Sequence, residues 1–470
     1  MKNNLNEYQN NLIKFLKNIK SHKLYKLFKF FKFVNHMNSP HIVFYSNPLK
    51  IKGKDLDKKI SNFKRLIIRS ILCLEFCIKN NIYKNPLIID IIITQVEKCI
   101  SDEKYWERNG FNSNHINKII LIYKMFLNYL KEYNITSKKK YNILGHTDKG
   151  KDLYKFIFKI NTSLDIDPNE LQLFAIKNLN LQIKNLEKLL DIKLLDKQIM
   201  KDDLFPPKEF KNFMDKHKKA GTPIKSEKEL LSISQNFVIE LHEKTKKLFN
   251  KNVIIPDISK VDIKPMSKLI SFWSSKGKAN SKSIFLNFDN LYKYRKESLK
   301  RLIAHESLPG HFLERTNSNK ILKEMNLPKD IYYMSMRGIK MIKEGWAVYA
   351  ENIISDKNNK TEQKYLILNK IFYCIRTIVD IGINYNGMKI ETGKQLLNEY
   401  TSLHPNSINA EISRYFGNPT QACSYLLGII YFEFLEREFK NHSSNMIEFY
   451  SKLILSPFTA FDIYKSIIKN

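Results

Sequence analysis

The sequence predicts a mainly α-helical protein, built as two lobes with a minor β element, and three observations lead to this. Its 470 residues exceed what one hydrophobic core usually holds. The hydrophobic share of 43% is ordinary for a globular protein, whereas Gly and Pro number only 14 each, which favours helices over turn-rich sandwiches or repeats. Apolar residues also recur at helical spacing along most of the chain.

The first part of the chain predicts helices joined by turns. Lys14–Val34 alternates Lys with Phe, Leu and Ile at loosely helical spacing, and Lys58–Lys131 continues as long helices. Ile135–Lys151 is polar, lysine-rich and interrupted by two glycines, so it predicts a loop. We therefore expect an N-terminal helical region at residues 1–150 and a second helical region at residues 151–470, interleaved as one structural unit.

Capping residues and turn residues organise the second region. Asp167 precedes a proline and predicts a helix start, and Ser226 with Glu229 forms a capping box for another helix. Short apolar stretches broken by Pro and Gly fill Val253–Phe288 and predict irregular structure with one or two strands. The clearest strand, Ser283–Phe288, would bind an extended peptide by edge pairing. Beyond it, the helical pattern continues to the end of the chain.

The formal net charge of +32 raises two classes of partner, nucleic acids and anionic membranes. The lysines are spread along the whole chain and no zinc-finger, helix-turn-helix or aromatic RNA-binding pattern accompanies them, so we expect no specific nucleic-acid partner. The basic segment Lys14–Val34 would suit a membrane surface. The solvated face of an ordinary surface helix explains its lysines better. The sequence leaves the oligomeric state open.

The cysteines and the N-terminus predict a cytoplasmic protein. Five scattered cysteines do not form a disulfide framework, which fits a reducing compartment. Cys73 and Cys77 lie one helical turn apart in an apolar run, and we interpret them as core residues. The N-terminus lacks the apolar stretch of a secretory signal. The longest apolar segment, Leu87–Val96, is too short and too often interrupted to span a membrane.

The strongest chemical motif is His305-Glu-Ser-Leu-Pro-Gly-His311. In a zinc-protease helix, two histidines four residues apart lie on one face and hold one metal. Here they are six apart, which on an ideal helix separates them by roughly 240°. Pro309 must deform the helix, because its ring clashes with the carbonyl of His305. Either Pro309 and Gly310 bulge outward and return His311 to the side of His305, or they end the helix and His311 starts a loop.

A carboxylate downstream would complete a metal site. Glu344 lies at the head of Glu-Gly-Trp-Ala-Val-Tyr, which predicts an amphipathic helix. A catalytic zinc takes three protein ligands and keeps one position open. His305, His311 and Glu344 would supply the three ligands. Glu306, next to the first ligand, would then act as the base that activates water.

Four ordered motifs carry a resemblance to a known family. They are His305 to His311, Glu344 to Glu351, Arg376 with Asp380 and Gly382, and Arg414-Tyr415 with Pro419, Gln421, Ala422, Tyr425 and Gly428. Together they resemble the bacterial domain-of-unknown-function family 885. The resemblance extends from about Ser283 to Glu438 and is weaker upstream.

This resemblance implies a largely helical metallopeptidase, and it implies that export is common among relatives. The Glu344 segment is also similar to the Glu-Gly-Phe-Ala-x-Tyr segment of the aminopeptidase N family, whose glutamate is the third zinc ligand. A gluzincin-like, two-lobed zinc-peptidase architecture is therefore expected, with the minor β element near the active site. The histidine that the family usually carries is Asn384 here, which would weaken catalysis if that histidine stabilises the transition state.

Further side chains in these motifs are candidates for contact with substrate. Arg414, Tyr415 and Tyr425 would donate to a developing oxyanion or anchor a substrate carboxylate. The alternative is a structural role, which is more common for an Arg or Tyr on a helix. Arg376 and Asp380 are four residues apart on a predicted helix, and we expect them to pair with each other.

These patterns predict a zinc-dependent hydrolase that cleaves the peptide bonds of small peptides by metal-activated water. The alternative hypothesis is a catalytically weakened pseudoenzyme, or a metal- or peptide-binding protein with the same fold, and Asn384 favours it. A third hypothesis, a basic factor that binds membranes or nucleic acid, requires binding that depends steeply on salt.

Overall fold

Helices dominate the computed structural model of this chain, as the sequence predicts. The structure describes residues 2–37, 39–46, 55–258, 261–266, 277–279, 283–325, 327–328, 331–332 and 339–456. The helices before residue 150 are α1 (Lys2–Ser21), α2 (Tyr25–Phe33), α3 (Pro40–Ser46), α4 (Leu56–Ile78), α5 (Pro86–Ser101), α6 (Glu103–Arg108), α7 (Ser113–Lys140) and α8 (Asp148–Thr162, which crosses the boundary).

The segment expected to be a loop at residues 135–151 is largely helical, so that prediction is wrong. Helix α7 continues to Lys140, and α8 begins at Asp148. Ser137 holds the last turns of α7 against the core, because its hydroxyl donates to the carbonyl of Lys84 at 2.6 Å. Three lysines in the final turn, residues 138–140, also lie where the helix dipole favours positive charge.

Two of the helices after α8 begin at the predicted capping residues. They are α9 (Pro168–Leu190), α10 (Lys208–Ala220), α11 (Glu227–Lys246), α12 (Lys296–Glu306), α13 (His311–Glu324), α14 (Lys340–Ile354), α15 (Lys360–Ile381), α16 (Ile390–Tyr400), α17 (Pro405–Gly417), α18 (Cys423–Lys440) and α19 (Met446–Ile454). Asp167 caps α9 by accepting from the Asn169 N–H, and Ser226 caps α11 by accepting from the Glu229 N–H. Both predicted helix starts are confirmed.

The minor β element is a three-stranded sheet of β1 (Asp262–Pro265), β2 (Gly277–Ala279) and β3 (Ser283–Leu286). The strand order is β1-β3-β2, with β3 parallel to β1 and antiparallel to β2. The strand predicted at residues 283–288 is therefore present, but it is the central one. Because neighbours occupy both of its edges, β3 cannot bind a peptide by edge pairing, and that expectation is wrong.

Two apolar clusters form the interior of the described structure. The larger cluster combines residues from both sides of the expected boundary at residue 150, from Leu12 to Ile454. The smaller one packs α11, α12 and β3 together, and it includes Leu241, Ile303 and Ile284. The sheet therefore supports the buried side of α12, the helix that carries His305 and Glu306.

The basic N-terminal segment folds as α1 and α2, and its apolar side is packed into the larger cluster. Leu16, Ile19 and Phe31 are buried there. The segment would have to leave the core before its apolar side could enter a membrane. Among the described helices, none combines the length and apolarity that crossing a bilayer requires. Cys73 and Cys77 are buried core residues, as predicted.

Candidate metal centre

Helix α12 has one face buried in the core and another face that lines a cleft. Leu299 and Ile303 lie on one side and are buried in the smaller cluster. Arg301 and His305 lie on another side, and both line a cleft of about 470 Å³. Four residues turn an α-helix by about 40° beyond a full revolution, so each pair shares a face. Glu306, the last residue of α12, lines the same cleft.

A sharp break between residues 307 and 310 brings His311 back to His305. The Ser307 N–H still donates to the carbonyl of Ile303 at 2.7 Å, but the Gly310 N–H reaches back to the carbonyl of Ala304 at 3.0 Å. Helix α13 then begins at His311. Each alternative is therefore right in one respect. The helix ends at Glu306, as the second expected, but His311 begins another helix and no loop. His311 lies back on the side of His305, as the first expected, and the bond from Gly310 to Ala304 spans the two inserted residues.

Close packing makes glycine necessary at position 310. A Cβ atom there would lie 2.1 Å from the carbonyl oxygen of His305. The carbonyl of Pro309 in turn accepts a hydrogen bond from the indole N–H of Trp346 at 2.9 Å. Trp346 belongs to the Glu-Gly-Trp segment, so this bond joins the histidine motif directly to the helix that carries Glu344.

Helix α14 positions Glu344 by crossing α18 at two glycines. A Cβ atom on Gly345 would lie 2.5 Å from the Cα of Gly428, so the two helix backbones touch here. This close crossing explains why glycine follows Glu344 and why Gly428 belongs to the same set of motifs. It also brings Tyr425, one turn before Gly428, into the cleft.

The three predicted ligands converge. The Nε2 atoms of His305 and His311 lie 3.7 Å and 3.6 Å from the same Glu344 oxygen, Oε2. One donor atom from each residue lies within 4.8 Å of the other two. Donors bonded tetrahedrally to zinc at ~2.0–2.2 Å lie about 3.3–3.6 Å apart, so the set fits one zinc ion after small adjustments. The donor types, two imidazoles and a carboxylate, also suit zinc.

Glu351 orients His305, and the sequence analysis did not predict this role. Its Oε1 lies 2.9 Å from the Nδ1 of His305, which leaves the Nε2 of that ring for a metal. Asn369 holds the other carboxylate oxygen, donating to Oε2 at 3.2 Å. Glu351 follows Glu344 by seven residues, about two helical turns, so both lie on one face of the helix. This spacing could have indicated that Glu351 lies near the metal ligands.

The charges around the cluster favour a cation. Burial disfavours a charged His305, but the carboxylates of Glu344 and Glu351 outweigh burial and raise its pKa to about 10. Burial also acts to raise the pKa of Glu344, but the hydrogen bonds and charges of the two histidines hold it well below its usual range. Glu344 is therefore a carboxylate, and in the metal-free protein His305 carries the proton that a metal would displace.

Arg414 and Tyr425 lie in the cleft as a connected pair. The guanidinium of Arg414 donates to the Tyr425 hydroxyl at 2.7 Å and to the side-chain oxygen of Gln421 at 2.8 Å. The amide N–H of Gln421 also donates to the Tyr425 hydroxyl at 3.3 Å. Burial raises the pKa of Tyr425 to about 12, although Arg414 opposes the shift. Tyr425 therefore keeps its proton, and both of these bonds use its oxygen as acceptor.

The structure does not bring Tyr415 to the cleft. Its side chain is fully buried, and its hydroxyl donates to Glu411 at 2.9 Å. Glu411 also accepts from Arg376 at 2.6 Å, so the predicted pair of Arg376 with Asp380 is wrong. The spacing of four residues favoured a pair of Arg376 with Asp380. Helix α17 instead brings the carboxylate of Glu411 within hydrogen-bond distance of Arg376.

Asp380 and Asn384 instead connect helices behind the cleft. Asp380 accepts from the Thr420 N–H at 3.0 Å and from the Tyr154 hydroxyl at 2.8 Å. Asn384 is buried and donates at 3.2 Å to the carbonyls of Asp380 and Tyr415. Asn384 is not among the side chains that line the described cleft. The geometry therefore gives the substituted position no contact with the candidate metal ligands.

Comparisons with known proteins agree with the helical fold. A crystal structure described as a "putative lipoprotein" from Colwellia psychrerythraea superimposes with a TM-score of 0.75 at 15% sequence identity, covering 93% of this chain and 80% of that one. A structure described as a "putative lipoprotein of unknown function" from Shewanella oneidensis gives 0.68 at 15% identity, covering 99% and 88%. At this identity the likeness shows a shared fold alone. No curated protein sequence matches the chain.

The motifs predicted the family correctly. A family model described as "Bacterial protein of unknown function (DUF885)" matches residues 84–446, which is most of the chain and includes every residue of the candidate metal centre. The chain therefore belongs to the DUF885 family of bacterial proteins of unknown function.

Proposed function

We propose that this protein is a zinc-dependent peptidase with a gluzincin-like active site. The observation that carries the proposal is the convergence of His305, His311 and Glu344, whose donor atoms lie within 4.8 Å of one another beside a cleft. A glutamate directly after the first histidine and a third ligand on a later helix match the gluzincin arrangement. The orienting contact from Glu351 supports it further, since ligating histidines usually donate their second nitrogen to a carboxylate or carbonyl.

In the proposed reaction Glu306 is the general base. Bound zinc would lower the pKa of water and polarise the carbonyl of the scissile peptide bond. Glu306 lines the cleft next to His305 in sequence and is only 7% exposed, so little solvent competes for its carboxylate. It accepts a proton from the attacking water and delivers it to the leaving amine.

Tyr425 is the proposed donor to the oxyanion. Its oxygen already accepts hydrogen bonds from Arg414 and Gln421, which leaves its own proton free for a substrate oxygen. The positive charge of Arg414 behind the hydroxyl strengthens that donation. Tyr415 instead donates to Glu411, the carboxylate that pairs with both Arg376 and Arg414. It therefore helps to hold these two arginines in place.

The size of the cleft fits a short peptide. Its volume of about 470 Å³ is typical of small-molecule sites and is lined by both aromatic and charged side chains. Peptide binding without catalysis is the competing interpretation. It would require the same cleft but would not require Glu306.

Metal analysis and two variants test the proposal. We expect about one zinc per purified chain, and we expect His305→Ala to lose it. Glu306→Gln should keep the zinc but lose hydrolysis of short peptides, since an amide cannot accept the proton. Glu433→Gln, which changes a carboxylate outside the cleft, serves as the control.

The outcomes separate the interpretations. Peptide hydrolysis that a chelator abolishes and that Glu306→Gln removes would support the peptidase. Zinc and peptide binding without hydrolysis in the wild-type protein would support the binding protein. Stoichiometric zinc in His305→Ala would show that the ligand assignment is wrong.

A further inference from the structure

The arginines that line the cleft differ in their hydrogen bonding. Arg295, Arg301, Arg376 and Arg414 all contribute to its wall. Three of them donate hydrogen bonds within the described structure: Arg295 to two backbone carbonyls, Arg376 to Glu411, and Arg414 to Gln421 and Tyr425. Arg301 donates none to any residue that the structure describes, and its Nε atom is buried without a partner.

The lack of hydrogen bonds from Arg301 is unusual because the residue is buried. It is 6% exposed, and the nearest carboxylate oxygen, Oε2 of Glu351, lies 3.9 Å from its Nε. That distance is beyond a hydrogen bond. The Glu351 carboxylate is already shared between His305 and Asn369. A buried N–H donor such as its Nε costs free energy when it has no acceptor, and a bound anion would recover that cost.

The position of Arg301 relates it to the candidate metal centre. Its guanidinium stacks over the ring of Tyr365, 4.7 Å from the centroid, which supports the plane and leaves its edge for ligands. Arg301 precedes His305 by four residues on α12, so both face the cleft about 6 Å apart along the helix axis. A guanidinium that donates no hydrogen bond therefore lies about one turn from the proposed catalytic zinc.

We propose that Arg301 is a carboxylate-binding subsite that receives the C-terminal carboxylate of the peptide substrate. A guanidinium edge accepts a carboxylate through two parallel hydrogen bonds, which fixes both position and orientation. The proposal rests on the proposed peptidase function and specifies its substrate class: short peptides with a free C-terminus. The same chemistry would recognise an aspartate or glutamate side chain, so the experiment distinguishes these two sources.

The spacing limits what is released. An extended peptide advances about 3.3 Å per residue, so an axial separation of about 6 Å corresponds to one or two residues. Hydrolysis of that bond adds one water across the scissile amide, and the products are a shortened peptide with a new carboxylate and a free amino acid or dipeptide. Detection of these small products identifies the cleaved bond.

The test compares peptides that differ only in the terminal charge. The zinc-loaded protein is given an N-terminally fluorescent Ala-Ala-Ala peptide as the free acid, as the C-terminal amide, and as an amide whose last residue is glutamate. We expect kcat/KM for the acid to exceed that for the plain amide roughly 10–100-fold, the range of a charge-assisted hydrogen-bonded pair. Arg301→Gln should remove this preference, and Arg301→Lys should restore part of it. Arg437→Gln, an exposed arginine on α18, is the matched control.

Each outcome bears on the proposal. Equal cleavage of acid and amide by the wild-type protein would overturn it, as would equal losses on both substrates in Arg301→Gln, since a structural role would affect both alike. A preference for the glutamate amide over the free acid would assign the subsite to a side chain and contradict the terminal carboxylate. Binding of acid and amide to Glu306→Gln makes the subsite independent of turnover. A preference for the acid in binding without any hydrolysis in the wild type would reject the peptidase and retain the subsite.

Discussion

At the scale of single residues, the candidate site depends on which partner each polar side chain has. The candidate metal ligands can be recognised by their residue types. The roles of the other cleft residues depend on contacts between distant parts of the chain. Tyr425 and Tyr415 illustrate the difference: they belong to the same motif, yet Tyr425 lines the cleft and the Tyr415 hydroxyl donates to buried Glu411. Two predictions follow from such contacts.

Removing the Tyr425 hydroxyl should slow the reaction and leave the metal in place. Tyr425→Phe deletes the proposed donor to the oxyanion, so we expect kcat to fall about 10²–10³-fold with little change in bound zinc. Steady-state kinetics and metal analysis of the same preparation measure both quantities. Tyr25→Phe, at a half-buried position of α2 that does not line the cleft, provides a control. Unchanged kcat in Tyr425→Phe would exclude the donor role.

Loss of the Glu351 carboxylate should weaken metal binding. Glu351→Ala frees the His305 ring to rotate and lowers its basicity, and we expect zinc affinity to fall about 10–100-fold. Glu351→Gln should recover part of the affinity, since its amide oxygen can still accept from the ring. Competition with a chromogenic chelator measures the affinity. Wild-type affinity in Glu351→Ala would show that the contact does not orient the ligand.

At the scale of elements, the site is assembled at two points where the backbone of one segment touches another. The break between α12 and α13 folds back on the carbonyls of Ala304 and His305. The crossing of α14 and α18 places Gly345 against Gly428. Neither point leaves room for a side chain, which accounts for glycine in both motifs.

Substitution of Gly310 should disrupt the centre while most of the fold persists. The new Cβ of Gly310→Ala would lie 2.1 Å from the His305 carbonyl oxygen, so the turn must shift and carry His311 away from Glu344. We expect loss of zinc affinity and destabilisation by roughly 1–3 kcal/mol, the usual cost of overpacking. Zinc titration and urea unfolding measure the two effects. Lys320→Ala, at an exposed position of α13, is the control, and normal zinc binding in Gly310→Ala would contradict the geometry.

At the scale of the whole molecule, one large apolar cluster joins the N-terminal helices to the helices that carry the site. The expected division at residue 150 stays a prediction, although the shared core favours a single structural unit. Polar groups are buried within this core, and some of them titrate near neutral pH. Stability of the whole chain should therefore depend on pH.

Asp380 provides a test of that dependence. Burial raises its pKa to about 7, despite hydrogen bonds from Thr420 and Tyr154. Its unfolded pKa is near 3.8, so the folded protein binds the extra proton between these values. The resulting stabilisation is complete below about pH 4 and is lost as pH rises through about 7. We expect Asp380→Asn to lack this decline.

Urea unfolding of both proteins between pH 4 and 8 measures the effect as a difference. Burial lowers the pKa of His41 to about 4, which has the opposite influence on stability, but it is common to both proteins and cancels. Parallel curves for wild type and Asp380→Asn would show that Asp380 is already charged in the folded protein at low pH.

The sequence alone determined the class of the fold, the helix starts and the identities of the candidate ligands. These depend on local properties: apolar spacing along a helix, a capping side chain near its own N–H groups, and the metal preference of histidine and glutamate. The starts at Asp167 and Ser226 and the family motifs were predictable for that reason.

Only the tertiary structure decided how those residues meet. Whether His311 returns to His305 depends on an indole from α14 and on a glycine that fits against α12. Helices distant in sequence decide which carboxylate Arg376 pairs with, and they leave Arg301 without a hydrogen-bond acceptor. Hydrogen bonds and ion pairs form between groups that packing brings within about 3 Å. The packing itself is determined by the whole core, not by any one segment. Local spacing therefore identifies the chemical groups, and only the folded chain assigns their partners.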